Sequence, residues 1–107
     1  MKELTTLEQH AMLAIVALHP RAYGISIQDH IKQKAGYEPP LGSIYAALDR
    51  LDEKGFVRSK QGEATRERGG RRKLYFMLTA PGKRALTDSM NAMGSLRRAA
   101  GWQEALA

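Results

Sequence analysis

Cysteine is absent from the 107 residues, which excludes disulfides, thiol redox switches and cysteine-bound zinc, and accords with a reducing cytosol. Long apolar runs are missing too: the longest, Ala11 to Leu18, spans eight residues, against the roughly 20 needed to cross a bilayer. The N-terminus, Met1-Lys2-Glu3-Leu4, has neither the apolar stretch nor the small-residue cleavage site of a signal peptide, so a cytoplasmic location and no membrane partner are expected. Catalytic apparatus is equally scarce. Leu41-Gly42-Ser43-Ile44-Tyr45 lacks the second glycine of a nucleophile elbow, and no His-Glu-x-x-His sequence occurs. His10, His19 and His30 stand nine and eleven residues apart, which places no pair on adjacent turns of one helix. Gly69-Gly70 precedes a strand pattern and is no phosphate loop. Neither an enzyme, a metal site nor a cofactor is expected.

What the sequence does contain is an ordinary globular mixture, 43% hydrophobic and 26% charged, over a length that makes one domain with one modest core. A second independent domain does not fit. Basic residues outnumber acidic ones by 17 to 11, and the surplus is concentrated: residues 1–53 carry a net −2, residues 54–73 a net +6 and residues 74–107 a net +2. Lys54, Arg58, Lys60, Arg66, Arg68, Arg71, Arg72 and Lys73 form that basic block, a placement that suits a polyanion. The plain alternative is a solvated charged hairpin.

Local signals divide the chain into five elements. Thr5-Thr6-Leu7-Glu8 has capping-box spacing, and Leu7, Ala11, Ala14 and Leu18 recur at helical intervals, which predicts a first helix from Thr6 to Leu18, ended by His19-Pro20. Tyr23-Gly24 opens a short second helix whose apolar face holds Ile25, Ile27 and Ile31 and which stops near Gly36. After Pro39-Pro40, the residues Ile44, Ala47, Leu48 and Leu51 fall at i, i+3, i+4 and i+7. This third helix, from Leu41 to Lys54 with Gly55 as a left-handed cap, would be about 21 Å long, enough to cross a DNA major groove. Phe56 to Ser59 and Lys73 to Leu78 read as strands of a hairpin, separated by Gly62 and a mobile polar tip from Glu63 to Gly70. Thr79 then caps a fourth helix with Pro81 in its first turn, an apolar stripe of Leu86, Met90, Met93 and Leu96, and a stop at Gly101. The expected fold class is mainly α with a small antiparallel hairpin (α+β). Residues 1–78 would form a winged helix-turn-helix and residues 79–107 a C-terminal dimerisation helix and tail.

Three stretches carry a more specific signal. They are Tyr23-Gly24-Ile25-Ser26-Ile27, then Gly42-Ser43-Ile44-Tyr45-Ala46-Ala47-Leu48-Asp49-Arg50-Leu51 running on to Lys54-Gly55-Phe56-Val57, and last Gly69-Gly70-Arg71-Arg72-Lys73-Leu74-Tyr75-Phe76-Met77-Leu78-Thr79 followed by Gly82-Lys83-Arg84-Ala85-Leu86. In this order they resemble the PadR-like transcriptional regulators over roughly residues 7–86. The chain departs from that pattern at Ala46, where a proline is common, at Tyr75-Phe76 in place of paired tyrosines, and at Met77, where an arginine would supply a phosphate or structural contact. The resemblance implies a homodimeric regulator that binds double-stranded DNA, of the short type with a single C-terminal helix. It further implies a repressor on a palindromic operator, with a dimer made by the first and last helices. The expected seam comprises Leu7, Ala11, Leu86, Met90, Met93, Leu96 and Trp102, and some relatives accept a small aromatic effector there.

The residues themselves support much of this. Gly42 lets backbone approach a phosphate, which Ser43 and the N–H groups at the helix start can bind with help from the helix dipole. Tyr45, beside Ala46, offers a hydroxyl and an apolar ring at the groove floor. Arg50, two turns on, reaches a phosphate or a guanine edge, or else pairs with Asp49 or Glu53. Arg68, Arg71, Arg72 and Lys73 would track phosphates at the minor groove and supply affinity more than sequence choice. Tyr23, Gly24 and Ser26 complete the DNA-facing set, with Tyr23 read equally as a plug between helices and Gly24 as a helix-start residue. The Leu86 to Leu96 stripe packs either on a partner or on its own domain. Its methionines make an adaptable surface for an aromatic effector, while Trp102 packs on the partner protomer or stacks on a ligand. Two other readings stay open: a protein-interaction module, recognisable by a flat apolar patch around Ser43, Tyr45 and Arg50, and a MarR-type regulator, whose longer chains add dimerisation helices.

Overall fold

The computed structural model describes residues 3–64 and 72–102, and the side chains of residues 3–62 and 73–102. Helix α1 spans Thr6–Leu18. Its start is the expected capping box: Thr5 Oγ1 accepts from the Glu8 N–H at 3.1 Å while Glu8 Oε1 accepts from the Thr5 N–H at 2.7 Å. Its inner face differs from the spacing-based stripe. Met12 and Ile15 join Ala11 and Ala14 inside, Leu7 and Leu18 lie at the margin of the core, and Leu13 and Val16 stand outside, 43% and 55% exposed. Ala11 to Leu18 is apolar all round, so periodicity alone has no means of choosing its buried face.

Helix α2, Gly24–Ala35, buries Ile27 and Ile31 and ends on Gly36, whose φ of 78° is the left-handed conformation that glycine tolerates without a Cβ clash. The Gln28 side-chain amide donates to the Pro39 carbonyl at 2.9 Å and holds the turn that leads into the third helix. Helix α3, Leu41–Glu53, buries the four residues the spacing selected, Ile44, Ala47, Leu48 and Leu51. It closes in a Schellman motif: the Phe56 N–H donates to the Leu51 carbonyl and the Gly55 N–H to the Asp52 carbonyl, both at 2.9 Å, around Gly55 at φ 77°.

Strands β1, Val57–Ala64, and β2, Arg72–Leu78, form an antiparallel ribbon in which Val57 faces Leu78, Arg58 faces Met77, Ser59 faces Phe76 and Lys60 faces Tyr75. β1 runs farther than its apolar residues foretell, since backbone pairing continues through polar Lys60 and Gln61. Of the expected tip, Glu63 and Ala64 belong instead to β1; the rest, with Arg68, lies outside the described residues, as do Arg71, the Arg72 side chain and residues 103–107. At its root the ribbon gains a third line of backbone, because the Phe76 N–H donates to the Ala22 carbonyl at 2.8 Å.

Helix α4, Ala80–Ala100, begins at Thr79, which ties three elements together. Thr79 Oγ1 accepts from the Gly82 N–H at 3.1 Å and donates to the Gly55 carbonyl at 2.6 Å, and the Thr79 N–H donates to the Phe56 carbonyl at 3.0 Å. A Cβ on Gly82 would collide with that Phe56 carbonyl, so glycine lets α4 cross directly over the chain leaving α3. Two residues expected at a subunit seam are interior instead. Ala11 and Leu86, 0% and 4% exposed, belong to the protomer's own core and present no surface to a partner. Leu7 likewise packs against this core.

Helices α1 and α3 are joined by a buried carboxylate. Glu8 is fully enclosed, Lys54 Nζ lies 2.9 and 3.1 Å from its two oxygens, and Arg50 Nε approaches to 3.5 Å. Burial alone would raise the Glu8 pKa, but the Thr5 N–H and the Lys54 ammonium outweigh it and hold the carboxyl below the ordinary glutamate value.

Candidate nucleic-acid interface

The start of α3 is open. Pro40 occupies the cap position and offers no side-chain hydrogen bond, the Ser43 and Ile44 N–H groups both donate to its carbonyl, and the N–H groups of Leu41 and Gly42 have no acceptor among the described residues. Nothing approaches the position where a Gly42 Cβ would stand, and Ser43 is exposed beside it. Unpaired N–H groups, a hydroxyl and the positive end of the helix dipole thus share one accessible corner suited to a phosphate.

One turn on, Tyr45 is 45% exposed, and its ring lies on Gly24, where any Cβ would collide with the ring and its hydroxyl. Gly24 is buried beneath that ring, so it seats Tyr45 and presents no surface of its own for the expected direct contact with DNA. Ala46 is exposed next to Tyr45. On the other side of the same corner, the half-buried Tyr23 ring meets Tyr75 of β2 edge-on at 5.9 Å between centroids, and Lys73 Nζ sits 4.3 Å from the Tyr23 ring centre. Tyr75 in turn covers Gly62 of β1, where a side chain would collide with its ring. Tyr23 thus packs between the start of α2 and the ribbon, rather than between helices alone, and its ring lies under the Lys73 ammonium.

Ser26 has a different task from the expected one. Its hydroxyl accepts from the Tyr23 N–H at 2.9 Å and lies within donor range of the Tyr23 and Arg21 carbonyls, at 3.0 and 3.1 Å. It fastens the Tyr23-Gly24 corner, and its single hydroxyl donor is already engaged there.

The sequence pattern of the transcriptional regulator PadR-like family matches residues 12–88. The chain belongs to this family. Its members are transcriptional regulators and not enzymes. Solved structures agree on the fold. A PadR family transcription regulator from Clostridium difficile R20291 is 19% identical, with a TM-score of 0.75 over 92% of this chain and 97% of that one. A PadR-like transcription factor from Bacteroides fragilis is 24% identical, with a TM-score of 0.74 over 89% of this chain and 86% of that one. Bacillus subtilis PadR, solved in complex with operator DNA, is 22% identical, with a TM-score of 0.62 over 77% of this chain and 45% of that one. No curated protein matches the chain in sequence. The mainly helical architecture with one antiparallel hairpin is that of the PadR winged helix.

Within this PadR-like frame, Arg50 takes a partner that local spacing did not suggest. Its Nε is drawn to Glu8 of α1, and neither Asp49 nor Glu53 pairs with it. A carboxylate 42 residues away in sequence leaves no local trace. Tyr75 is the site residue that sequence reasoning passed over, although period-two alternation from Lys73 places it on the same face of β2. On α1 the exposed apolar pair is Leu13 and Val16, which continues in kind on α4 with Met90, Met93 and Leu96, 43%, 56% and 66% exposed, and with Trp102 beyond it. Among the described residues no helix is long and apolar enough to cross a membrane, and no cluster of His, Asp or Glu is arranged to hold a metal ion.

Proposed function

We propose that this chain is a cytoplasmic, ligand-responsive repressor that binds a palindromic DNA operator as a homodimer. Residues 1–78 act as the DNA-binding domain and residues 79–107 as the dimerisation helix and tail. The observation that supports the reading is the corner at Tyr23-Gly24, against which Tyr45 of α3 and Lys73 of the ribbon both pack. A helix laid in the major groove and a cationic ribbon along the neighbouring backbone call for such an adjacency. Leu41, Gly42 and Ser43 take a phosphate at the helix start. Tyr45 and Ala46 meet base edges, and Lys73, with Arg68, Arg71 and Arg72, neutralises phosphates.

The homodimer is supported by the apolar side chains left in water on α1 and α4, Leu13, Val16, Met90, Met93 and Leu96 with Trp102. Pairing through them sets two α3 helices about one DNA turn apart, roughly 34–36 Å. A small aromatic effector between the methionine stripes would alter that spacing and release the operator. A protein-interaction module would instead be favoured by a flat apolar patch around Tyr45; exposed Ser43 two residues before it supports the DNA reading.

Selection from a random duplex library, followed by titration of the winning site, tests the reading. Enrichment of an inverted repeat, bound as a dimer with affinity that falls steeply as salt rises, is the expected result. Recovery of no preferred duplex would overturn it.

A further inference from the structure

Residues 36–40 join α2 to α3, and three of them in succession are tied to the two helices before them. The Tyr37 hydroxyl lies 2.6 Å from His10 Nδ1 on α1, the Glu38 carboxylate lies 3.5 Å from Lys32 Nζ on α2, and the Pro39 carbonyl accepts from the Gln28 side-chain amide at 2.9 Å. These ties differ in weight. Lys32 and Glu38 are both largely exposed, so water and salt screen their pair, and the Tyr37 contact is exposed as well. Gln28 is half-buried and Pro39 is buried. A carbonyl can only accept, so the Gln28 side chain must turn its NH2 group toward Pro39.

The Gln28 bond also stands nearest to α3. Neither Pro39 nor Pro40 has an N–H, so backbone contacts at the entrance to the helix run through their carbonyls alone. The Pro40 carbonyl is taken by the Ser43 and Ile44 N–H groups of the first turn of α3. That leaves the Pro39 carbonyl as the point where another element can hold the entrance, and Gln28 holds it. Gln28 shares a face of α2 with Gly24, one turn earlier, on which the Tyr45 ring lies. α2 therefore grips α3 twice, by a steric seat under Tyr45 and by a hydrogen bond at the turn.

We propose that Gln28 is a positioning residue for the start of α3. By fixing the Pro39-Pro40 peptide it aims the Leu41 and Gly42 N–H groups and the Ser43 hydroxyl at one backbone phosphate, without touching the duplex itself. This role deepens the DNA-binding reading above and rests on it.

The test uses the full chain and the duplex that selection from a random library returns, remade with a single uncharged methylphosphonate at each phosphate in turn. Gln28→Met keeps the length and helix propensity of the side chain and removes its donor. It should leave the circular dichroism unchanged and weaken duplex binding about fivefold, the scale of one neutral hydrogen bond. For the unsubstituted chain, methylphosphonate at the phosphate that meets the start of α3 should weaken binding roughly tenfold, as loss of a charge-assisted contact does. For Gln28→Met the same replacement should cost about twofold or less, because the contact is already lost, while penalties at the other phosphates stay as they were. Tyr37→Phe, which cuts the exposed tie to α1 without altering charge, should change affinity by less than about twofold. Weaker binding by Gln28→Met with every methylphosphonate penalty retained would show that Gln28 only supports the fold, and would overturn the proposal. So would a Tyr37→Phe loss equal to that of Gln28→Met, which assigns the effect to the turn as a whole. A selected duplex bound equally well by Gln28→Met removes this role alone, whereas failure of the unsubstituted chain to select any duplex removes the DNA-binding reading and this role with it.

Discussion

Two residues carry more than their size suggests, Gly24 and Glu8. Because the Tyr45 ring occupies the space above Gly24, Gly24→Ala must push that ring out of its seat on α2. Overpacking of this kind costs about 1–3 kcal/mol, and if the strain is relieved by moving Tyr45, a loss near tenfold in duplex affinity follows at about 1.4 kcal/mol per decade. Fluorescence anisotropy of a labelled operator measures it; affinity equal to the unsubstituted chain would mean that the Tyr45 position is immaterial. Glu8 has a pH signature. Its folded-state pKa lies below the ordinary glutamate value, so the unfolded chain takes up the proton first as pH falls. The stability it contributes is complete above the unfolded value, about 4.3, and drains away as pH drops toward the depressed folded value. Glu8→Gln should lower stability at pH 7 by about 1–3 kcal/mol and flatten its decline below pH 5, as read by urea unfolding. Parallel pH profiles for the two proteins would show that Lys54 and the Thr5 N–H do not stabilise the carboxylate.

At the scale of elements, helix and ribbon divide their labour. Tyr45 presents an aromatic ring and a hydroxyl that distinguish base edges, whereas Lys73 presents a point charge that every sequence satisfies equally. Lys73→Ala should weaken binding to all duplexes alike and reduce the slope of log affinity against log salt by about one. Tyr45→Ala should compress the ratio between the selected site and random DNA. A Lys73→Ala protein with unaltered salt slope but changed sequence preference would reverse the assignment. The elements themselves were largely legible in the sequence, for a physical reason: their ends are marked by residues with local demands. Thr5 and Thr79 cap, Gly36, Gly55 and Gly101 adopt positive φ, and Pro39-Pro40 breaks the chain before α3. Faces were less legible. The apolar run of α1 fits two rotations, so its spacing does not mark Leu13 and Val16 as the exposed pair or Ala11 as interior. Long-range partnerships were not legible at all. The Arg50 to Glu8 pair, the Tyr45 seat on Gly24 and the Lys73 to Tyr23 contact join residues that only the fold brings together.

For the molecule as a whole, the decisive question is what covers α4. Leu86 is its last buried apolar side chain, and the turns beyond it carry Met90, Met93 and Leu96 into solvent, an arrangement that costs hydrophobic free energy unless a second copy meets it. Met93 is the apt place to test this, because at 56% exposure it contributes little to the protomer's own core. Met93→Glu should leave the circular dichroism of the protomer intact, yet force a carboxylate with no partner into the apolar seam of each copy. Sedimentation should then show the monomer at concentrations where the unsubstituted chain is paired. Operator binding should weaken by about 100-fold or more, because two linked half-sites gain from each other's local concentration and a single protomer does not. Its salt slope should fall to about half, since half as many phosphates are neutralised by each bound unit. A Met93→Glu protein that still sediments as a dimer and keeps its operator affinity would show that the copies meet elsewhere, and that the methionine stripe of α4 serves some other partner.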